Sequence, residues 1–414
     1  MKFTKLSQLL LVSALGLLVA TLLSGCLIVT LDYVFVADST GTSPGSTGQI
    51  EIYAVDAETG ALRPVDQAVP SGGSHPVALA ATSDYANLYA ANQGNNSIVH
   101  FSIAYSGALT KEDEITTSAP PVALAISTVK VQGNAYVNTY LYVISGTGTT
   151  PATLTEYALG TGGAIGSAVA TETLVLPGYT SDTIVPTAVT VLANNQAVYV
   201  TAYDQSAYNP GGTVTSSANP GWIFGYAIGS NGVLTPSLYS PWEAGVKPTS
   251  IAADPNNLEV YATDYASNQL IGYGIIDGTR LEFLVDGPFQ TGDEPSSVTV
   301  DPRGLFIYVA NSLQSSVSGY AINLANGTPS AIFGTVTATN TTDTDPVDII
   351  VEPSLGRYVY TANYVSDSIS GFRLNPNNGS FEYTTENTPY PTGVNPTAIV
   401  AVPHGNHAIE SITP

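Results

Sequence analysis

The chain is nearly without sulfur, with one cysteine, Cys26, and one methionine, Met1, in 414 residues. Lacking a second cysteine, it can form no intrachain disulfide even in an oxidising compartment. Basic residues are scarce too, with 10 Lys and Arg against 32 Asp and Glu and a net charge of −22. A phosphate backbone needs a basic stripe, so nucleic acid is not an expected partner, and anionic membrane surfaces are disfavoured for the same reason. Only 10% of residues are charged, which leaves Thr, Ser, Asn, Gln and Tyr to wet the surface. No amphipathic helix follows the N-terminus, and no Walker loop, zinc spacing, EF-hand loop or Gly-x-Ser-x-Gly elbow is present. No cofactor and no metal are expected: His404 and His407 form a lone i, i+3 pair, His100 falls in a strand, and no acidic spacing demands calcium.

What is present begins with a leader. Lys2 and Lys5 precede an apolar run from Leu9 to Leu23 and then small residues, the pattern of a secretion signal over residues 1–25. Leu22-Leu23-Ser24-Gly25-Cys26 has the form of a bacterial lipobox, with the sole cysteine standing where the signal ends. Cys26 is therefore expected to carry a lipid and to tether residues 26–414 to a membrane. Leu27 stands where the inner-membrane retention signal of enteric bacteria has aspartate, so the expected address is the outer membrane of the cell envelope.

The rest is a repeat. Its phrase is a proline, a short apolar run, Tyr-Val-x-Asn/Asp, then apolar-x-x-Tyr and often Gly-x-Leu. The opening prolines are Pro76, Pro121, Pro186, Pro248, Pro295, Pro346 and Pro396, and a later aromatic recurs at Tyr53, Phe101, Tyr157, Tyr226, Tyr273, Tyr320 and Phe372. Within a unit, runs such as Ser297-Val298-Thr299-Val300 and Phe306-Ile307-Tyr308-Val309 are β-branched and aromatic, broken by Asp-Pro, Asn-Gly and Gly-rich turns. Each unit thus offers four short antiparallel strands, and seven such units predict an all-β, seven-bladed propeller. Two longer stretches, 130–139 and 205–220, interrupt units and read as loops, the second rich enough in Gly, Pro, Ser and Asn to be mobile.

The two chain ends complete one another. The first unit starts at Val34-Phe35-Val36-Ala37-Asp38 without a proline-led strand, while Pro396-Thr-Ala-Ile399-Val-Ala401-Val is such a strand with almost nothing behind it. The C-terminal segment is therefore expected to supply the innermost strand of the blade begun by residues 31–70, closing the ring and removing an open sheet edge.

The motifs Tyr308-Val309-Ala310-Asn311, Tyr89-Ala-Ala-Asn92, Tyr360-Thr-Ala-Asn363, Asp301-Pro302-Arg303-Gly304 and the Gly60-Ala-Leu62 and Gly107-Ala-Leu109 turns resemble those of the seven-bladed lactonase-type propellers. That family includes 6-phosphogluconolactonase-like and YVTN-repeat proteins, and the resemblance covers essentially the whole chain after the leader. These motifs are blade scaffolding. The Asn or Asp after Tyr-Val (Asp38, Asn92, Asp264, Asn311, Asn363) is expected to cap the turn between the second and third strands, and the proline suits the first residue of a strand.

In a propeller the connections before the first strand, and those between the second and third, open on one face around the channel. The residues preceding the prolines, His75, Lys247, Glu294, Asp345 and Asn395, with Val185 and Pro120 as apolar members, are the candidate ligand-facing rim. Two functions are compatible with it. One is a non-catalytic binding or interaction module, a monomer whose acidic, Tyr- and Thr-rich surface suits neutral glycans or envelope proteins. The other, implied by the family, is a lactone hydrolase acting on a sugar lactone, with His75 or Glu294 as the base and Lys247 as the oxyanion partner. The family's Gly-x-His-Pro-His stretch is only partly present, since Gly73-Ser74-His75-Pro76 is followed by Val77. Arginines that could hold a phosphate are expected away from the rim: Arg303 and Arg357 in turns of the opposite face, and Arg63, Arg280 and Arg373 near outer strands.

Overall fold

Every proline-led segment is the innermost strand of a blade, and the ring is built around those strands. A computed structural model describes residues 29–39, 47–65, 67–176, 183–208, 220–333, 340–383 and 388–404. The leader and Cys26 lie outside the described residues, as do His407 and most of the 205–220 stretch. The inner strands are Pro76–Ala81, Pro121–Ile126, Ile184–Val191, Pro248–Ala253, Pro295–Val300, Pro346–Val351 and Pro396–Pro403. Each leads a meander of four antiparallel strands, and the inner strands contact one another in ring order. We number the blades 1 to 7 from the N-terminus.

Blade 1 is the closure predicted from the ends of the sequence. Its strands run, from outside in, Leu62–Pro64, Gln49–Asp56, Thr30–Asp38 and Pro396–Pro403. Val36 faces Ile399 and Phe35 faces Val400 across this seam. The Thr82 N–H binds the Asn87 carbonyl in blade 2, and the His404 N–H binds Leu31 O in blade 1 at 3.0 Å. The two chain ends thus reproduce a hairpin bond that elsewhere spans a covalent turn.

The second strand of each blade lies deepest. Asn87–Asn92, Tyr140–Ser145, Phe306–Asn311 and Tyr358–Asn363 are buried along their whole length, because both faces of a blade pack on neighbouring blades. The core is accordingly split into several clusters spanning adjacent blades. In five blades the tyrosine of the Tyr-Val motif reaches across such an interface to the turn between the third and fourth strands of the next blade, whereas Tyr142 of blade 3 donates to Glu156 of its own blade. Tyr261 donates to Gly327 O (2.7 Å), Tyr308 to Gly379 O (2.9 Å) and Tyr360 to Gly60 O (2.7 Å). Tyr199 binds Thr279 O and Tyr89 binds Gly163 O in the same way. Two motifs that recur separately in the sequence are halves of one inter-blade bond. The glycines accommodate it: Gly60 and Gly379 have φ of +70° and +71°, and a Cβ on either would fall within 2.6 Å of an aromatic ring.

Two readings are refined. Residues 130–139 hold a small hairpin, Val131–Gln132 with Ala135–Tyr136, whose Tyr136 hydroxyl docks on Asp84 and Asn87 of blade 2. The Asn or Asp after Tyr-Val does more than cap a turn. Asn311 accepts from Gly292 N–H, in the connection entering its blade, and donates to Ser316 and Ser318 on the third strand. Asp264 likewise accepts from Val246 N, Lys247 N and Gln269.

Candidate functional site

The rim is built by a backbone device that repeats round the ring. The carbonyl of the residue before the proline accepts the N–H of the residue just after the second strand: Gln93 to His75 (2.9 Å), Tyr265 to Lys247 (2.9 Å), Ser312 to Glu294 (2.9 Å), Tyr364 to Asp345 (2.8 Å), Ser39 to Asn395 (3.2 Å) and Gly146 to Pro120 (3.0 Å). Blade 4 differs: its inner strand starts at Ile184, so Pro186 and Val185 are already inside the ladder and Thr183 O takes the bond from Gln205. His75, Glu294, Asp345 and Asn395 have φ of 53°, 56°, 62° and 55°. Non-glycine residues enter this left-handed region at a cost, and His, Asp and Asn do so most readily.

In this conformation the rim side chains lean onto the preceding blade. His75 Nδ1 shares a hydrogen bond with Ser39 Oγ of blade 1 (3.1 Å). Asn395 donates to Tyr364 O of blade 7 (2.9 Å), and Glu294 accepts from the Tyr265 hydroxyl of blade 5 (2.6 Å). Lys247 points over two rings, with its Nζ 4.2 Å from the centre of Tyr265 and 5.5 Å from that of Tyr208. Lys247 and Glu294 therefore meet through Tyr265. His75, an exposed residue of blade 2, is three blades from either.

The Lys247 side chain is half-buried, and burial pulls its pKa down while the Glu294 carboxylate pushes it back up. Burial, the hydrogen bond from its hydroxyl and the Glu294 charge all raise the Tyr265 phenol, with Asp345 adding to the effect. The group is an ammonium resting on two aromatic faces beside a carboxylate capped by a phenol. It can hold a hydroxyl-bearing ligand by stacking and hydrogen bonding, and Lys247 can stabilise a developing oxyanion. No other lysine or arginine occurs in any rim connection of the sequence. Arg303 sits in a turn of the opposite face and binds Asp301 (2.7 Å). Among the described residues, no group of three or more His, Cys, Asp or Glu could hold a metal ion.

Tyr265 and Tyr208 were not singled out in the sequence. Tyr265 had a signal, since it directly follows Asp264, the landmark residue of its blade, and the same position in other blades carries Ser39, Gln93 and Tyr364. A further rim residue is Asp38, the blade 1 counterpart of Asn92, Asn311 and Asn363. It is fully buried, and neither carboxylate oxygen has a hydrogen-bond partner. The Gly393 N–H lies near it, short of hydrogen-bond geometry, and eases it slightly. Burial, with the charges of Glu51 and Asp367 nearby, pushes its pKa up to about 8.

No curated protein matches the sequence. The family model described as lactonase, seven-bladed β-propeller, matches residues 47–128 and 279–398. Among solved structures, the periplasmic gluconolactonase of Pseudomonas aeruginosa superposes with a TM-score of 0.68 at 18% identity, over 91% of this chain and 100% of that one. A Bacteroides fragilis protein described as a candidate 6-phosphogluconolactonase gives 0.68 at 17% identity, over 90% and 98%. A Lactobacillus plantarum protein gives 0.68 at 14%, over 90% and 100%. At such identities these likenesses speak for the fold alone. With its repeat motifs, its ring of seven four-stranded blades and the family model matched at both ends, the chain belongs to the lactonase-type seven-bladed β-propellers.

Proposed function

We propose that this protein is a binding module of the cell envelope, held to the outer membrane by a lipid on Cys26. It takes a neutral, hydroxyl-rich ligand, a sugar or sugar lactone, at the channel mouth beside Lys247, Tyr265 and Glu294. The observation that carries this reading is that the sole lysine of the rim lies on two tyrosine rings beside Glu294. Its charge is largely answered from within, and the site offers aromatic faces, a phenol and a carboxylate. Vicinal hydroxyls suit such donors and acceptors. A phosphorylated sugar does not, because it would meet a rim with many carboxylates and a single lysine.

The second reading is lactone hydrolysis, favoured by the family and by the downward pull on the Lys247 pKa. In that reaction water adds to the lactone carbonyl carbon, a rim base takes its proton, and the ring C–O bond breaks to give a carboxylate and an alcohol. With His75 three blades away, Glu294 is the rim base nearest Lys247.

A pH-stat measurement on D-glucono-δ-lactone separates the two readings, run beside ligand-observed NMR with neutral sugars. The binding reading expects no acid release above the spontaneous rate and a sugar signal lost on Tyr265→Phe or Lys247→Met. An excess rate abolished by Lys247→Met would replace it with the hydrolase. An excess rate abolished by His75→Ala alone would locate the chemistry on blade 2 instead.

A further inference from the structure

Two cavities open outward of the rim on adjacent blades. One, on blade 6, has a volume of about 470 Å3 and is lined by Gln290, Gln314, Ser318, Tyr320 and Phe333 among others. The second, of about 460 Å3, includes Thr342, Asp343, Ser370, Thr388 and Pro389 of blade 7 and the connection entering it. Both sizes lie in the usual range of small-ligand pockets, about 300–1,000 Å3.

The two share one construction. Ser318 and Ser370 occupy the same place on the third strand of their blades, two residues beyond the partners of Asn311 and Asn363. Ser318 Oγ accepts from Gly292 N and Asn311 Nδ2, both at 3.0 Å. Ser370 Oγ accepts from Asp343 N (2.9 Å) and Asn363 Nδ2 (3.0 Å). With both lone pairs of each serine taken by protein donors, its own O–H is what it has left to give. The equivalent residues of other blades are Glu51, Val99, Thr155, Phe224 and Ile271, of which only Thr155 carries a hydroxyl.

The outer walls explain the openings. A glycine in the third strand of blades 4, 5 and 6 lets a side chain from the following connection lie on the sheet: Trp242 over Gly225, Leu284 over Gly272 and Phe333 over Gly319, each within 2.6 Å of where a Cβ would stand. In blade 7 the Thr388 hydroxyl accepts Gly371 N (3.1 Å), as Ser240 accepts Gly225 N in blade 4, and Thr388 and Pro389 form a wall of the cavity. In blade 6 the ring of Phe333 becomes a wall beside amides and hydroxyls. Among the described residues the blade 6 lining has no Asp, Glu, Lys, Arg or His, although the chain carries 32 acidic residues.

We propose that these cavities are neighbouring subsites for an uncharged carbohydrate, separate from the channel mouth. In them Ser318 and Ser370 donate to sugar oxygens, Gln314 and Asp343 bind sugar hydroxyls, and Phe333 and Pro389 pack on the apolar faces of the rings. Uncharged polyol chemistry matches a lining of hydroxyls, amides and apolar walls. An anionic sugar finds no basic group among the described lining residues. The proposal does not depend on what the rim binds.

The test is saturation-transfer NMR and titration on the full chain with maltose, cellobiose and N,N′-diacetylchitobiose, with digalacturonic acid as the charged control. The obstructing variant is Ala331→Trp, at an exposed cavity-lining position that makes no side-chain hydrogen bond, so the fold should survive. Ser370→Ala probes the other cavity. The expected result is millimolar binding of at least one neutral disaccharide, weakened about tenfold by Ala331→Trp or Ser370→Ala, with this cavity-dependent binding retained in Tyr265→Phe. The proposal is overturned if no neutral disaccharide binds, if the acidic one binds equally well, or if binding ignores both cavity variants. Loss of binding on Tyr265→Phe alone would move the sugar to the rim, sinking this proposal while supporting the function proposed above.

Discussion

Asp38→Asn should stabilise the protein, and increasingly so as the pH rises. Asp38 is fully buried with both oxygens unpartnered, and its pKa is pushed from 3.8 up to about 8. Between those values the native state holds a proton that the unfolded chain has released. Stability therefore falls as pH climbs through this window and levels off above it. At pH 7 the window has been crossed for about 3 units, which at about 1.4 kcal/mol each sets an upper bound of roughly 4 kcal/mol. Relaxation around the site will reduce this, and we expect a gain of about 2 kcal/mol at neutral pH. For a chain of this size that corresponds to about 2–3 °C in Tm. Asparagine has a place to go, since its amide can donate to Glu51 as Asn311 donates to Ser318. Thermal melts of parent and variant by circular dichroism from pH 4.5 to 8.5 would measure the effect. The reasoning fails if the variant is no more stable at pH 8, or if its advantage is the same at pH 4.5.

Further outcomes can be checked. Deleting residues 396–414 removes the inner strand of blade 1 and its pairing with Asp32–Asp38, and should cost about 5 kcal/mol or more, on the scale of a domain's whole stability; a Tm within about a degree of the parent would refute the seam. Asn311→Ala removes an acceptor from Gly292 N–H and a donor from both Ser316 and Ser318 and should destabilise by about 1–3 kcal/mol in denaturant melts. Glu156 is buried beside Tyr142 with a pKa raised by burial to about 7, so the relative stability of Glu156→Gln should increase between pH 4.5 and 7 and stay constant above, by the same melts. Cys26→Ser should abolish lipid attachment and leave the leader uncleaved, seen as an unprocessed band that incorporates no labelled palmitate; normal processing would rule out the anchor.

The number of blades and the closure of the ring were legible in the sequence because both are properties of a local pattern. A strand of β-branched and aromatic residues, a proline that fits its first position and a glycine that fits a left-handed turn recur in register whatever lies beside them. A unit lacking its first strand can be completed only by a strand lacking its unit. The rim was legible in part: the residues before the prolines were identified, with Lys247 and Glu294 among them. That Tyr265 joins these two, that His75 bonds Ser39 instead, and that Tyr261 reaches Gly327 could not be read from the chain. Glu294, Ser39 and Gly327 each belong to the blade next to their partner's, many residues away, and only the packing angle of one blade on the next brings the side chains within reach. The same holds for Asp38. In sequence it is one more Asn or Asp after a strand, and only burial beside Glu51, with neither oxygen hydrogen-bonded, makes it a carboxyl group that keeps its proton near neutral pH.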